Sequence, residues 1–302
     1  MDISVKIGKM HLKNPLIGAS GTFGYGFEFA DFMDLNNIGG FCTKGISLEP
    51  RPGNPYPRVA ETASGMLNSI GLENCGSDSL IRDVFPRIES LDCAVIVNIY
   101  ASNVHEFAIL AEKISQYETV DAFEINLSCP NVSAGGAAFG ADPETVEKVT
   151  SLVVKNTDKT VIVKLSPNVT DIRETASAAE SGGAHSISLI NTLIGTAVDR
   201  ENRRYFLGNK IGGLSGPAIK PVALKMVRDA VKTVSIPVIG IGGIRTVEDV
   251  LDFLIIGASA VQIGGQNFIE PSVLSRLAGE LSEYLDRKNE ELSELTGSIR
   301  ED

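Results

Sequence analysis

Only four cysteines occur in this 302-residue chain, and no two of them stand at CxxC spacing. Cys42, Cys75, Cys93 and Cys129 are too scattered for a metal knuckle or a dense disulfide framework, which points to a reducing compartment. No apolar run approaches the ~20 residues needed to span a bilayer. The start, MDISVKIGKMHLKNP, lacks the basic-then-apolar order of a signal sequence, so a cytoplasmic location is expected. Basic side chains are also short: 27 Lys and Arg against 38 Asp and Glu leave a formal charge of −11. That balance disfavours nucleic acid and anionic membranes as partners. A dinucleotide-binding GxGxxG is missing as well, because its best candidate, Gly240-Ile241-Gly242-Gly243-Ile244-Arg245, ends in arginine. There is no internal repeat, low-complexity segment or interdomain linker, and a single domain over residues 1–302 is expected.

What is present is a globular composition, 43% hydrophobic and 22% charged, with 30 glycines that imply tight turns or backbone contacts to a ligand. The alternation Ile3, Val5, Ile7 before Gly8-Lys9 predicts a short β-hairpin. Eight apolar runs follow, at Pro15–Ser20, Gly39–Gly45, Ala94–Tyr100, Ala122–Cys129, Thr160–Ser166, Ser186–Thr192, Pro237–Gly243 and Ala260–Gly265. Helical spacing separates many of them, as in Val104–Tyr117, Pro143–Lys155, Thr170–Ser181 and Thr246–Leu254. Asp142 before Pro143 and Thr246 before Glu248 and Asp249 are good helix starts. The pattern predicts an α/β fold, a (β/α)8 TIM barrel with an N-terminal hairpin, and a doubly wound sheet is the runner-up. Two long connections, Ile46 to Asp92 and Leu193 to Ile236, are expected to build an active-site cover.

Barrel enzymes place their chemistry at the carboxyl ends of the strands, and the polar residues fall there. Ser20, Lys44, Gly45, Asn98, Asn126, Cys129, Lys164, Asn191 and Thr192 all lie at or near such ends. Lys164, among Val161, Ile162, Val163 and Leu165, needs an anionic or electron-rich partner. An internal salt bridge with Glu124 and a ligand-facing role both remain open. Together Lys44 and Lys164 would hold an anion or stabilise charge developing on a reduced ring. Asn98, Asn126 and Asn191, read as lying at matching depth, suggest a planar ligand with alternating donors and acceptors. Gly242, Gly243, Gly264 and Gly265, with Gly216 in a loop, would let backbone amides approach a phosphate, though tight turns alone would also use them. No histidine is placed to activate Cys129 as a nucleophile, so acid/base service by that thiol is the better assignment.

These residues carry a resemblance. Asn126-Leu127-Ser128-Cys129-Pro130-Asn131 resembles the NLSCPN motif of the dihydroorotate dehydrogenases, flavoenzymes of pyrimidine synthesis built on an FMN-binding (β/α)8 barrel. Ala19-Ser20-Gly21, Gly53–Arg58, Asn68-Ser69-Ile70-Gly71-Leu72, Lys164–Pro167, Ile190-Asn191-Thr192 and Gly212–Ala218 extend the similarity over most of the chain. Cysteine in the motif marks the cytosolic class 1. Glu61–Asn68, Ser166–Asp171 and Gly213–Pro221 are similar to class 1B rather than the fumarate-linked class 1A.

The resemblance implies that Cys129 takes a proton from C5 of dihydroorotate while hydride leaves C6 for N5 of FMN. It implies that Lys44, Asn68, Ile70, Gly71, Leu72, Asn126, Asn191 and Thr192 hold the substrate. FMN would be lined by Ser20, Lys44, Gly45, Asn98, Asn126, Lys164, Ile190, Gly216, Gly242, Gly243, Gly264 and Gly265, with Lys164 near the pyrimidine edge of the ring. Gly265 departs from a threonine frequent in the family. Class 1B further implies a partner subunit carrying FAD and a 2Fe-2S cluster that delivers electrons to NAD, with the chain as a homodimer inside a heterotetramer, and no metal on this chain. A dihydropyrimidine dehydrogenase-like enzyme, a dihydrouridine synthase, a non-redox phosphate-binding barrel and a non-catalytic flavin protein remain as alternatives.

Overall fold

Strands that must bury both faces become continuous apolar runs, and in the computed structural model, which describes residues 2–127 and 139–300, the eight such runs form a closed parallel barrel. The barrel strands are Leu16–Gly18, Gly40–Cys42, Ala94–Ile99, Ala122–Asn126, Thr160–Lys164, Ser186–Leu189, Val238–Ile241 and Ala260–Ile263. Each pairs with its sequence neighbour, and the eighth closes on the first through Val261 with Leu16 and Ile263 with Gly18. Closure excludes the doubly wound sheet. The expected fourth strand is observed as far as Asn126; its last two residues, Ser128 and Cys129, lie outside the described residues.

Helices Val104–Ser115, Pro143–Lys155, Ile172–Ser181, Lys220–Val231, Val247–Ile256 and Val273–Lys288 cover the outside. Four of the six starts are set by short polar side chains, each worth about 1 kcal/mol. Asn103 accepts from His105 and Glu106 amides, Asp142 from Thr145 and Asp171 from Arg173, while Thr246 and Asp249 form a reciprocal box. Side-chain alternation then divides the core in two. Outward residues such as Val95, Val97, Phe123, Val161 and Val261 pack under the helices. Inward ones, Ile17, Ala94, Ile96, Ala122, Ile162, Ile239 and Ala260, form a second apolar cluster.

The amino-terminal hairpin, Val5–Ile7 paired with Met10–Leu12, completes that inner cluster with fully or nearly fully buried Ile7, Met10 and Leu12. It is a plug in the amino-terminal end of the barrel, where each buried aliphatic side chain contributes about 1.5–3 kcal/mol.

The two long connections meet at the opposite, carboxyl end. Val59–Thr62 and Gly65–Asn68 pair with each other, Leu193–Thr196 pairs with Ile211–Ser215, and Gly213 opposite Asn68 joins the pairs into one four-stranded antiparallel sheet. The expected cover is therefore a single structure made from two loops distant in sequence. No helix among the described residues is long and apolar enough to cross a membrane.

Candidate active site

Period-2 alternation points Asn98, Glu124, Lys164, Ser188 and Gln262 into the barrel, directly above the apolar inner cluster. They form one bonded layer. Glu124, with no exposed surface, accepts hydrogen bonds from Asn98 Nδ2 at 2.7 Å, Ser188 Oγ at 2.8 Å and Gln262 Nε2 at 2.6 Å. The Lys164 ammonium lies 3.3 Å from its Oε1 and 3.5 Å from Gln262 Oε1. Burial alone would raise the Glu124 pKa, but the Lys164 charge and the three donors together hold it below the usual carboxylate value. The salt bridge held open at the sequence level is thus present, and Lys164 keeps a small exposed remainder, 5%.

The register corrects the expectation that the three asparagines share one depth. Asn98 is opposite Glu124, whereas Asn126 is opposite Lys164, two residues further along the fourth strand. Asn191 lies beyond the sixth strand, its backbone N–H donating to Leu165 O at 3.1 Å. The amides therefore step upward around the wall. Asn98 Oδ1 is buried and has no hydrogen-bond partner among the described residues. It lies close to Gly45, where a β-carbon would stand 2.8 Å from that oxygen. Beside it, Ser20 Oγ donates to Thr43 O at 2.7 Å and Lys44 N–H to Gly24 O at 2.7 Å, which ties the ends of the first two strands together.

The glycines at the other side of the mouth also converge. Gly243 has φ +72°, and a β-carbon there would meet Gly216 O at 2.9 Å and Lys220 Cβ at 2.8 Å. At Gly264 and Gly265 the nearest atoms to a β-carbon are Ala19 Cβ at 3.8 Å and Ser215 Oγ at 3.9 Å, so open space lies against this backbone. Gly216, Gly242, Gly243, Gly264 and Gly265 thus line the ends of strands six to eight. Lys220, which sequence reasoning passed over, is close by but committed to Asp249 and Asp252.

The cover brings in the rest. Asn68 Nδ2 donates to Gly213 O at 3.3 Å, and the Thr192 amide donates to Asn191 Oδ1 at 2.7 Å. Asn168, also missed, bridges Thr192 O and the Ile194 amide at 3.0 Å each. Gly71 and Leu72 have φ +77° and +57°, a rare conformation for leucine, and Asn74 fixes it by donating to Leu72 O at 2.8 Å. This turn carries Ile70–Leu72 from the cover down to Gly45, where Leu72 Cδ2 is 4.0 Å from the β-carbon position. Of the predicted site, only Cys129 lies outside the described residues. Two of the other thiols fit structural roles: burial and the Glu124 charge push Cys42 far above the usual thiol pKa, and burial pushes Cys93 to about 12.

A family profile described as "Dihydroorotate dehydrogenase" matches residues 2–285. The chain belongs to the dihydroorotate dehydrogenase family. Within it, the chain is 52% identical over 302 residues to a Maridesulfovibrio salexigens protein, covering 99% of each chain. It is 49% identical over 299 residues to one from Bacteroides fragilis, again covering 99% of both. A Citrifermentans bemidjiense protein is 50% identical, covering 99% of this chain and 98% of the relative. All three relatives are named "Dihydroorotate dehydrogenase B (NAD(+)), catalytic subunit".

Proposed function

We propose that this chain is the FMN-bearing catalytic subunit of an NAD-linked dihydroorotate dehydrogenase, which oxidises dihydroorotate to orotate in pyrimidine biosynthesis. The observation that carries this is identity near one half, along 99% of both chains, to relatives bearing that name. Residue chemistry at the barrel mouth supports it. A planar heterocycle fits the stepped amides and the unpartnered Asn98 Oδ1, and a phosphate fits the open space against Gly264 and Gly265. FMN would be held by Ser20, Lys44, Gly45, Asn98, Asn126, Lys164, Ile190, Gly216, Gly242, Gly243, Gly264 and Gly265. When bound, FMN supplies the hydride acceptor.

The chain's own residues do the rest. Lys44, Asn68, Ile70, Gly71, Leu72, Asn126, Asn191 and Thr192 orient dihydroorotate, the lysine meeting its carboxylate. Cys129 removes the proton from C5, supported by its motif position and the absence of a histidine among the other residues of the site. Lys164 opposes the negative charge that reduction places on the ring. The cover sheet excludes water from this reaction. The barrel, plug and cover act as one domain over residues 1–302 in the cytoplasm, without nucleic acid or membrane partners. A second subunit with FAD and a 2Fe-2S cluster passes the electrons to NAD, in a heterotetramer built around a homodimer of this chain.

Anaerobic mixing of the purified flavoprotein with dihydroorotate tests the proposal: the flavin absorbance should bleach, and Cys129→Ala should slow bleaching by at least a hundredfold. Undiminished reduction in that variant would remove Cys129 from its role. NAD reduction should require the copurifying flavin and iron–sulfur subunit; robust fumarate-dependent turnover by the isolated chain would instead assign it to class 1A.

A further inference from the structure

Four side chains from four different strands converge on one carboxylate that neither substrate binding nor proton transfer requires. Glu124 Oε1 holds Asn98 and Lys164, and Oε2 holds Gln262 and Ser188. Desolvating a buried ion pair costs about as much as its attraction returns, so such a layer is a weak source of stability. The layer directly beneath it is filled by aliphatic side chains. The conspicuous property of the carboxylate is what it grips: Asn98 and Lys164 are two of the residues assigned to FMN above. With Asn98 Nδ2 bonded to Glu124, the amide is oriented and its buried, unpartnered Oδ1 is free to meet a ligand. Because Lys164 is half of a pair, its positive charge is partly cancelled within the protein.

We propose that Glu124 is a positioning residue that sets the reduction potential of the bound flavin, fixing the Asn98 amide and offsetting the Lys164 charge. This rests on the FMN reading above. Reduction adds negative charge to the ring, so an uncompensated lysine beside it favours the reduced form, and the Glu124 carboxylate subtracts from that preference. Gln262 and Ser188 keep the carboxylate ionised and in place.

The test is the FMN midpoint potential of the purified holoprotein, measured by anaerobic spectroelectrochemistry at neutral pH. Glu124→Gln should raise the affinity ratio of reduced over oxidised FMN at least tenfold, an upward shift of about 30 mV for a two-electron couple. In a Lys164→Met background the same change should move the potential little, because without the lysine charge burial leaves the carboxylate protonated and there is no negative charge for the substitution to remove. A wild-type protein that binds FMN, with no shift in Glu124→Gln or with an equal shift in both backgrounds, overturns the proposal and leaves the FMN reading standing. Absence of FMN binding by the wild type overturns both. Should Glu124→Gln fail to fold, Ser188→Ala removes one of the donors that keep the carboxylate ionised and in place, weakens its offset of the Lys164 charge and should raise the potential; an unmoved or lowered potential there counts against the proposal equally.

Discussion

Thr192 occupies the space that a side chain at Gly213 would need: a β-carbon at 213 would stand 2.0 Å from Thr192 Oγ1. Thr192 is also held by Asn191 and Asn168, and Gly213 accepts from Asn68, so three proposed substrate contacts meet at this one packing point. Gly213→Ala must displace Thr192 or split the cover sheet, at an overpacking cost of about 1–3 kcal/mol. Orotate binding should weaken roughly tenfold, 1.4 kcal/mol of that cost, while FMN content stays at the wild-type level. Titration of orotate against the flavin spectrum measures this, and unchanged affinity would detach the cover from substrate binding.

The hairpin plug makes a separate prediction. Leu12 is fully buried in the inner cluster with Ile17, Ile96 and Ile162, at the end of the barrel opposite the active site. Leu12→Ala removes that filling and should destabilise the fold by about 2–5 kcal/mol. Urea unfolding monitored by circular dichroism provides the number. The flavin spectrum of the folded variant should match wild type, since the polar layer around Glu124 lies between the plug and the mouth.

Much of this architecture was legible because parallel barrel strands carry apolar residues on both faces, and each of the eight runs stood out. Lys164 was conspicuous as a charge within such a run, and its pairing with Glu124 was one of the two readings open to it. Gln262 was not conspicuous, because Ala260–Ile263 reads as a short apolar strand with one polar interruption. Depth around the barrel was misjudged for Asn98 and Asn126, since register depends on strand pairing rather than on position within a run. The cover could be expected as loops, but its pairing of Asn68 with Gly213 spans 145 residues and leaves no local pattern. The left-handed Leu72 was equally hidden, because its conformation is imposed by neighbours such as Asn74.

Gly279 offers a gain in stability at no functional cost. It lies on the exposed side of helix Val273–Lys288, and nothing comes within 4 Å of a β-carbon there. Alanine removes the entropic penalty of a helical glycine, about 0.5–1 kcal/mol. Gly279→Ala should raise the thermal midpoint by about 1 °C with turnover unchanged; a lower midpoint would mean that another molecule packs against this face.

His185 couples stability to pH. The Val161 amide donates to His185 Nδ1 at 3.0 Å, so the imidazole is neutral at that nitrogen in the folded chain. Burial, aided by the nearby Lys9 charge, lowers its pKa below the ordinary 6.5. Between the lowered folded value and 6.5 the unfolded chain binds a proton that the folded chain refuses, so stability falls as pH drops through that window. Above 6.5 the contribution is fully present. The comparison that isolates it is denaturant unfolding of wild type and His185→Asn at pH 7.5 and pH 5.5. Wild type should lose more stability than the variant on acidification, because the asparagine can accept the same amide and does not titrate. Equal losses would show that the protons responsible for acid sensitivity bind elsewhere.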